Sequence, residues 1–171
     1  MKYKEIISIR EIQAKIYELS ASINTDYKDV KELVVVPVLK GAMVFTSDLI
    51  RTIKPEIMTT IHPITTRSYD NSNRRQDSTI LSLPLEGVDG KDVLIVEDIV
   101  DSGSTIDKLR DWFVEHHNVR SLKVCSLLVR ERKESSVDYY GFVMKNNDFV
   151  FGYGLDYSQK YRNLENIVKK V

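Results

Sequence analysis

The stretch Val93–Thr105, VLIVEDIVDSGST, decides the fold of this 171-residue chain. It opens with four apolar β-formers, and such an unbroken run is typical of a strand buried on both faces of a parallel sheet. A helical pattern with Ile106 and Leu109 on its inner face follows the small turn Asp101–Thr105. The turn therefore lies between the carboxyl end of a strand and the amino end of a helix. Open α/β sheets bind ligands there, and free backbone amides at that place can hold a phosphate.

Three carboxylates accompany the turn, namely Glu97, Asp98 and Asp101. They would repel a phosphate unless sugar hydroxyls or a magnesium ion lay between them. The candidate phosphate ligands are Ser102, Gly103, Ser104 and Thr105. Hydroxyls can donate to phosphate oxygens, and a glycine permits close approach of the backbone. The alternative is a plain helix N-cap made by Asp101 or Ser102, although one cap does not require three carboxylates.

Further apolar runs predict strands at Leu33–Leu39 and Leu122–Val129, with Pro37 marking an irregular or edge position. The spacing of apolar residues predicts helices, one after a capping box formed by Ser8 and Glu11 and one over Ala42–Ile53. The other predicted elements are a strand over Ile57–Tyr69, a short strand over Thr79–Leu83, β structure within Val137–Tyr157 and a partly helical tail over Tyr157–Val171.

This alternation of strands and helices predicts an α/β fold with a central, mostly parallel twisted sheet flanked by helices. Right-handed crossovers would place the strand ends along one rim of the sheet. Lys40-Gly41, the segment Glu97–Thr105 and Arg130 would then converge there.

Composition excludes several classes of protein. The 25 basic and 25 acidic residues cancel, so no basic footprint indicates nucleic acid. No apolar stretch is long enough to span a bilayer, and we expect no membrane partner. The single cysteine, Cys125, lies in an apolar run and cannot form a disulfide within the chain, which suits a cytoplasmic location.

The acid pair and the turn after it resemble the phosphoribosyl-pyrophosphate (PRPP) motif of the type I phosphoribosyltransferases. Three other segments resemble the hypoxanthine-guanine branch of that family: VLKGA at Val38–Ala42, Ser68-Tyr69, and FVFGYGLDYSQKYRNL at Phe149–Leu164. The resemblance implies one domain over residues 1–171, with a mobile loop at about 68–78 and a small hood formed by terminal segments. It also implies a homodimer or homotetramer.

The implied reaction transfers the 5-phosphoribosyl group of PRPP to N9 of hypoxanthine or guanine, with Mg²⁺ as cofactor and release of pyrophosphate. The family positions imply the following roles. Asp101 is catalytic; Glu97, Asp98, Ser102, Gly103, Ser104 and Thr105 bind the ribose and 5′-phosphate; Lys40, Gly41 and Arg162 bind pyrophosphate; Arg130, Phe149, Val150 and Asp156 bind the purine; Ser68 and Tyr69 belong to the flexible loop; Glu97, Asp98 and Asp156 lie at the metal.

One position departs from the family pattern. A lysine usually follows the strand before the base site and reads the purine 6-oxo group, whereas this chain has Arg130 there and Lys133 three residues later. Either side chain can donate to an oxo group, so both stay candidates. In the family the Leu39–Lys40 peptide can be cis. A preference for xanthine, an RNA-binding regulator and a catalytically silent nucleotide sensor are the competing readings.

Overall fold

The computed structural model describes residues 2–68, 78–80, 85–145 and 148–171. Its elements, in chain order, are β1 Tyr3–Ile7, α1 Ile9–Asp26, β2 Glu32–Leu39, α2 Met43–Ile50, β3 Met58–Ile61, β4 Ile64–Ser68, β5 Ser78–Ile80, β6 Asp92–Val100, α3 Ser104–His116, β7 Ser121–Arg130, a 3-10 turn Glu134–Ser136, β8 Tyr139–Met144, β9 Val150–Phe151 and β10 Ile167–Lys170.

Within the described ranges the central sheet has seven strands in the order β5-β4-β2-β6-β7-β8, with β3 also paired to β2. Every pairing in it is parallel except that of β4 with β5. The predicted α/β fold with a mostly parallel sheet is therefore confirmed.

Helices cover both faces of this sheet because successive strand residues point to opposite sides. Leu33 and Val35 of β2 pack in the cluster that holds α1 and α2, whereas Val34 and Val36 pack in the cluster that holds α3. β6 divides in the same way, and the apolar side chains of the two central strands are buried except those of Leu39 and Ile99, which are half-buried. Burial on two faces explains why these strands read as continuous apolar runs.

Three predicted elements differ from the structure in their bounds. α2 ends at Ile50, short of Ile53, because the chain after it tightens into i to i−3 turns. The strand predicted over Ile57–Tyr69 is two strands, β3 and β4, separated by His62 and Pro63. The strand expected over Thr79–Leu83 is β5, and its last residues lie outside the described ranges.

Pro37 is irregular but does not lie on an edge strand. β2 pairs with β6 on one side and with β3 and then β4 on the other. The partner changes between Val35, opposite Ile61, and Val38, opposite Ile64, so Pro37 lies at an interruption of that ladder. A proline without an amide hydrogen is tolerated at such an interruption.

Among the described residues, the two chain ends and β9 form a separate three-stranded antiparallel sheet in the order β1-β10-β9. The partly helical tail was therefore a wrong prediction, since Ile167–Lys170 pairs with strands on both sides. β1 was not predicted at all. The capping box is confirmed: Ser8 Oγ accepts from Glu11 N, and Ser8 N donates to Glu11 Oε2 at 2.8 Å. No helix among the described residues is long and apolar enough to cross a membrane.

Candidate active site

The carboxyl ends of the central strands meet at a cavity of about 610 Å³. It is lined by Val38, Leu39, Lys40, Gly41, Thr65, Thr66, Glu97, Asp98, Asp156, Gln159 and Arg162. A smaller cavity of about 90 Å³ adjoins it through Glu97 and is lined by Glu97, Ile99, Val100, Asp101, Ser102, Gly103, Thr105 and Ile106. The predicted convergence on one rim is confirmed for Lys40-Gly41 and for the segment from Glu97 to the turn.

The acid pair lies on β6 itself, because this strand continues to Val100. Glu97 is buried, and its Oε1 accepts a hydrogen bond from the amide of Asp98 at 3.1 Å. Burial raises the pKa of Glu97 well above its ordinary value, and the neighbouring Asp98 charge adds to this rise. Burial also raises the pKa of Asp98, against the influence of the Arg162 cation. The two carboxylates lie side by side, and burial makes their charged forms unfavourable even with Arg162 near Asp98.

Position 41 requires glycine, because the Asp98 carboxylate lies directly against the Gly41 Cα and leaves no room for a side chain. A methyl group added to Gly41 would lie 1.8 Å from Asp98 Oδ2, which no side chain can occupy. The peptide between Leu39 and Lys40 is cis, as the resemblance allows. The loop after β2 is thus in direct contact with the acid pair of β6.

The turn after β6 exposes backbone at the start of α3. Gly103 is the N-cap with φ 84°, a left-handed conformation that favours glycine, and it makes no side-chain cap. Ser102 Oγ accepts a hydrogen bond from Ser104 N at 3.3 Å, so part of the simple capping interpretation holds. α3 has 13 residues, and the positive end of its dipole faces the small cavity.

Asp101 and Arg130 form an ion pair across the rim. Arg130 Nε donates to Asp101 Oδ1 at 2.6 Å, and Arg130 Nη2 donates to the carbonyl oxygen of Asp148 at 3.0 Å. The Arg130 side chain is 16% exposed and that of Asp101 is 69% exposed. Arg130 therefore joins the predicted catalytic acid to the segment that precedes Phe149.

Phe149 and Val150 behave differently, although both were predicted to bind the purine. The Phe149 ring is 56% exposed and meets the Tyr157 ring edge-on at a centroid distance of 5.5 Å. Val150 is buried and pairs with Lys169 in the terminal sheet. The exposed Phe149 ring could therefore stack on a purine, whereas the buried Val150 could contact the purine only through its backbone groups.

The carboxyl-terminal segment brings Arg162 to the acid pair. Arg162 Nη1 donates to the carbonyl of Gly154 at 2.7 Å, and Nη2 lies 2.8 Å from Asp156 Oδ1. Gly154, with φ 97°, packs on Gly41, since a methyl group on Gly154 would lie 2.4 Å from the Gly41 carbonyl oxygen. One guanidinium thus stands at a cavity that also contains Lys40.

Some predicted residues are not brought to that cavity. Lys133 lies beside the turn, where a methyl group on Gly103 would be 4.0 Å from its Cδ. Ser68 ends β4, and Tyr69, like most of the loop predicted at about 68–78, lies outside the described residues.

Sequence reasoning missed Thr65, Thr66 and Gln159, which line the large cavity. Gln159 N donates to Asp156 Oδ2 at 2.8 Å. Thr65 and Thr66 lie near the start of β4, where Thr65 is opposite Leu39 at the carboxyl end of β2, and the sequence carried no signal of this register. Gln159 had none, because it reaches the cavity only through the turn around Asp156.

The described residues contain no group of three or more His, Cys, Asp or Glu side chains placed to hold a metal ion. Glu97, Asp98 and Asp156 therefore do not form a ready three-carboxylate site. Magnesium is commonly held by one or two carboxylates together with substrate phosphates and water. The pair Glu97 and Asp98 fits such a site, because burial raises the pKa of both carboxyl groups and a bound cation would favour their charged forms.

Comparison with known proteins agrees with this geometry. The family model described as "Phosphoribosyl transferase domain" matches residues 2–158. Hypoxanthine phosphoribosyltransferase of Haemophilus influenzae is 38% identical over 97% of this chain and 94% of its own length. Hypoxanthine-guanine phosphoribosyltransferase of Dictyostelium discoideum is 38% identical over 96% of this chain and 93% of its own. A crystal structure of hypoxanthine-guanine phosphoribosyltransferase from Bacillus anthracis superposes with a TM-score of 0.89 at 38% identity, covering 99% of this chain and 100% of that one.

Proposed function

The chain belongs to the phosphoribosyltransferase family, in its hypoxanthine-guanine branch, and from this premise we propose how its residues perform the reaction. The protein is a purine salvage enzyme, a hypoxanthine(-guanine) phosphoribosyltransferase. It transfers the 5-phosphoribosyl group of PRPP to N9 of hypoxanthine or guanine. The products are IMP or GMP and pyrophosphate.

One observation supports these roles most directly. Two cavities that share Glu97 lie between the acid pair, the cations Lys40 and Arg162, and the turn Asp101–Thr105, which we call the phosphate turn. PRPP carries a 5′-phosphate at one end of its ribose and a pyrophosphate at the other. The small cavity at the amino end of α3 suits the 5′-phosphate. The large cavity with Lys40 and Arg162 suits the pyrophosphate, and Glu97 and Asp98 lie between them, where the ribose hydroxyls would be.

Electrostatics favour the departure of pyrophosphate. Breaking the bond between C1′ and oxygen develops negative charge on the leaving group, and fixed cations placed where charge develops stabilise the transition state. Lys40 and Arg162 line the cavity on that side. The planar guanidinium of Arg162, held by Gly154 and Asp156, suits two phosphate oxygens at once.

Asp101 is the proposed acid–base group at N7 of the purine. Its carboxylate is exposed at the rim and is oriented by Arg130, so a purine bound between Arg130 and Phe149 would lie beside it. The contacts of Arg130 with Asp101 and with the Asp148 carbonyl support it as the residue that reads the 6-oxo group. Val150 and Asp156 stay proposed purine contacts.

Magnesium dependence is part of the proposal. Glu97 and Asp98 would hold the ion together with PRPP oxygens, and Asp156 would lie near it. The ion would neutralise the acid pair and the developing charge of pyrophosphate. The raised pKa values of both carboxylates support this, because they mark a place where added positive charge is favourable.

The deciding experiment supplies PRPP and magnesium with hypoxanthine, guanine, xanthine, adenine or uracil separately and follows nucleotide formation by absorbance. We expect turnover with hypoxanthine or guanine and its loss when magnesium is chelated. Absence of turnover with every 6-oxopurine would overturn the proposal and leave the nucleotide sensor. Salt-dependent retention of RNA on filters would favour the RNA-binding regulator instead.

We further propose a single phosphoribosyltransferase domain over residues 1–171, with the terminal sheet serving as a purine-binding hood. The direct pairing of β1 with β10 supports this. A homodimer or homotetramer and a cytoplasmic location stay our expectations, and light scattering would measure the first.

A further inference from the structure

The phosphate turn itself contains no cation. Asp101–Thr105 holds one carboxylate and three hydroxyls, and Asp107 Oδ2 lies 3.9 Å from the position of a methyl group on Gly103. A phosphate monoester carries up to two negative charges at neutral pH. Backbone amides and the helix dipole alone would have to offset this charge beside two acids.

The chain segment after β7 brings a lysine to this place. Lys133 N donates to the Arg130 carbonyl at 3.0 Å, and Ser136 N donates to the Lys133 carbonyl at 2.9 Å. These two bonds fold residues 130–136 into consecutive tight turns, with Arg132 at φ 68°. Arg130 is thereby directed to Asp101, whereas the stem of Lys133 lies against the turn at Gly103.

The packing around Gly103 is close. A methyl group on Gly103 would lie 3.5 Å from Ser136 Oγ and 4.0 Å from Lys133 Cδ. The ammonium of Lys133 is only two bonds beyond Cδ, so it can reach a phosphate seated over the turn. Lys133 is half-buried, and no described residue makes a side-chain hydrogen bond or ion pair with it that accounts for its position.

We propose that Lys133, supplied from outside the PRPP motif, is the cation of the 5′-phosphate site, and that it does not read the purine base. Ser136 Oγ stands beside it as a second donor from the same segment. The inference rests on the proposed function, because the ligand is the 5′-phosphate of PRPP and of the nucleotide product. Arg130, at the end of β7, would thus bind the purine base, and Lys133 would bind the 5′-phosphate.

The test compares IMP with inosine, which differ only by the 5′-phosphate. Calorimetry would measure both dissociation constants for the wild type, Lys133→Met, Lys133→Arg and Lys28→Met. Lys28 is an exposed lysine beyond the end of α1, remote from the strand ends that form the site, and serves as the matched loss of one charge.

We expect Lys133→Met to weaken IMP about 10- to 100-fold, the usual effect of one charge-assisted hydrogen bond, and to leave inosine within about twofold. Lys133→Arg should restore most of the IMP affinity, and Lys28→Met should change neither ligand. Equal weakening of IMP and inosine would assign Lys133 to the base or to folding and overturn the inference. Unchanged IMP binding would also overturn it. If the wild type neither bound IMP nor formed it, the proposed function itself would be wrong. Failure of the proposed function is therefore seen in the wild type, whereas failure of the Lys133 inference is seen only in the variants.

Discussion

Replacing Glu97 by glutamine should stabilise the ligand-free protein while it damages the active site. Glu97 is buried beside Asp98, and burial is the main reason that its pKa is raised. Glutamine has the same shape, keeps an oxygen for the amide of Asp98, and can donate its own NH₂ to the Asp98 carboxylate. The substitution therefore removes one desolvated charge without leaving a cavity.

The gain should depend on pH with a definite sign. A raised native pKa means that the native state keeps its proton to higher pH than the unfolded state does. The wild type therefore loses stability as pH rises from about 4.3, the ordinary glutamate value, through the native pKa. Above that window we expect Glu97→Gln to gain on the order of 1–3 kcal/mol. A gain of about 2 kcal/mol corresponds to a Tm rise of about 4–8 °C for a chain of this size.

Urea unfolding followed by circular dichroism at pH 4, 6 and 8 would measure this gain. Asp92→Asn is the control, since Asp92 is a buried carboxylate at the other end of β6. Two guanidinium nitrogens of Arg120 and the Ser121 hydroxyl contact it and hold its pKa low. Its replacement should therefore destabilise the protein by about 1–2 kcal/mol at pH 8 and by nearly as much at pH 4, because this loss shrinks only when pH falls through the native pKa of Asp92, which lies below its ordinary value.

Stability of Glu97→Gln equal to or below that of the wild type at pH 8, in a folded protein, would refute the reasoning. A gain of the same size at pH 4 would refute it too, because there the wild-type carboxyl is largely protonated in both states. Turnover should fall at least tenfold in this variant at every pH, since one of the two carboxylates proposed to hold the ribose and magnesium is gone.

Other substitutions probe separate parts of the molecule. Asp101→Asn should lower kcat about 100-fold with little change in the KM for PRPP, as expected for a lost acid–base group. Steady-state kinetics would measure both parameters, and a large rise in KM together with the fall in kcat would contradict this role. Gly41→Ala should displace the Asp98 carboxylate and reduce turnover at least tenfold; wild-type kinetics would contradict the 1.8 Å overlap. Ser8→Ala should cost about 1 kcal/mol of unfolding free energy by removing the cap that Ser8 and Glu11 share, with kcat unchanged, and thermal unfolding would measure the loss.

The sequence predicted correctly those parts of the fold that are encoded by neighbouring residues in the chain. The apolar runs of β2, β6 and β7 are continuous because these strands are covered on both faces, so their sequence reports their burial directly. The Ser8–Glu11 capping box satisfies the first amides of α1 within one turn. The PRPP motif is also contiguous, which is why the acid pair and the turn could be identified together.

Predictions were wrong where a distant partner decides the conformation. Tyr3–Ile7 and Ile167–Lys170 have weak strand patterns of their own, and each becomes a strand because it pairs with the other end of the chain. Pro37 indicated an edge in the sequence, yet the change of partner from β3 to β4 lets it lie in an interior strand.

The sequence by itself determined the α/β class, the position of the acid pair and the phosphate turn, because hydrophobic period and a contiguous motif encode them. Only the tertiary structure decided what surrounds that motif. Arg130 contacts Asp101, Gly41 packs on Asp98, and Lys133 reaches Gly103 through crossovers and turns that join segments far apart in the chain. Side chains on separate strands acquire their distances and their pKa values only when the sheet aligns the strand ends and removes water from between them.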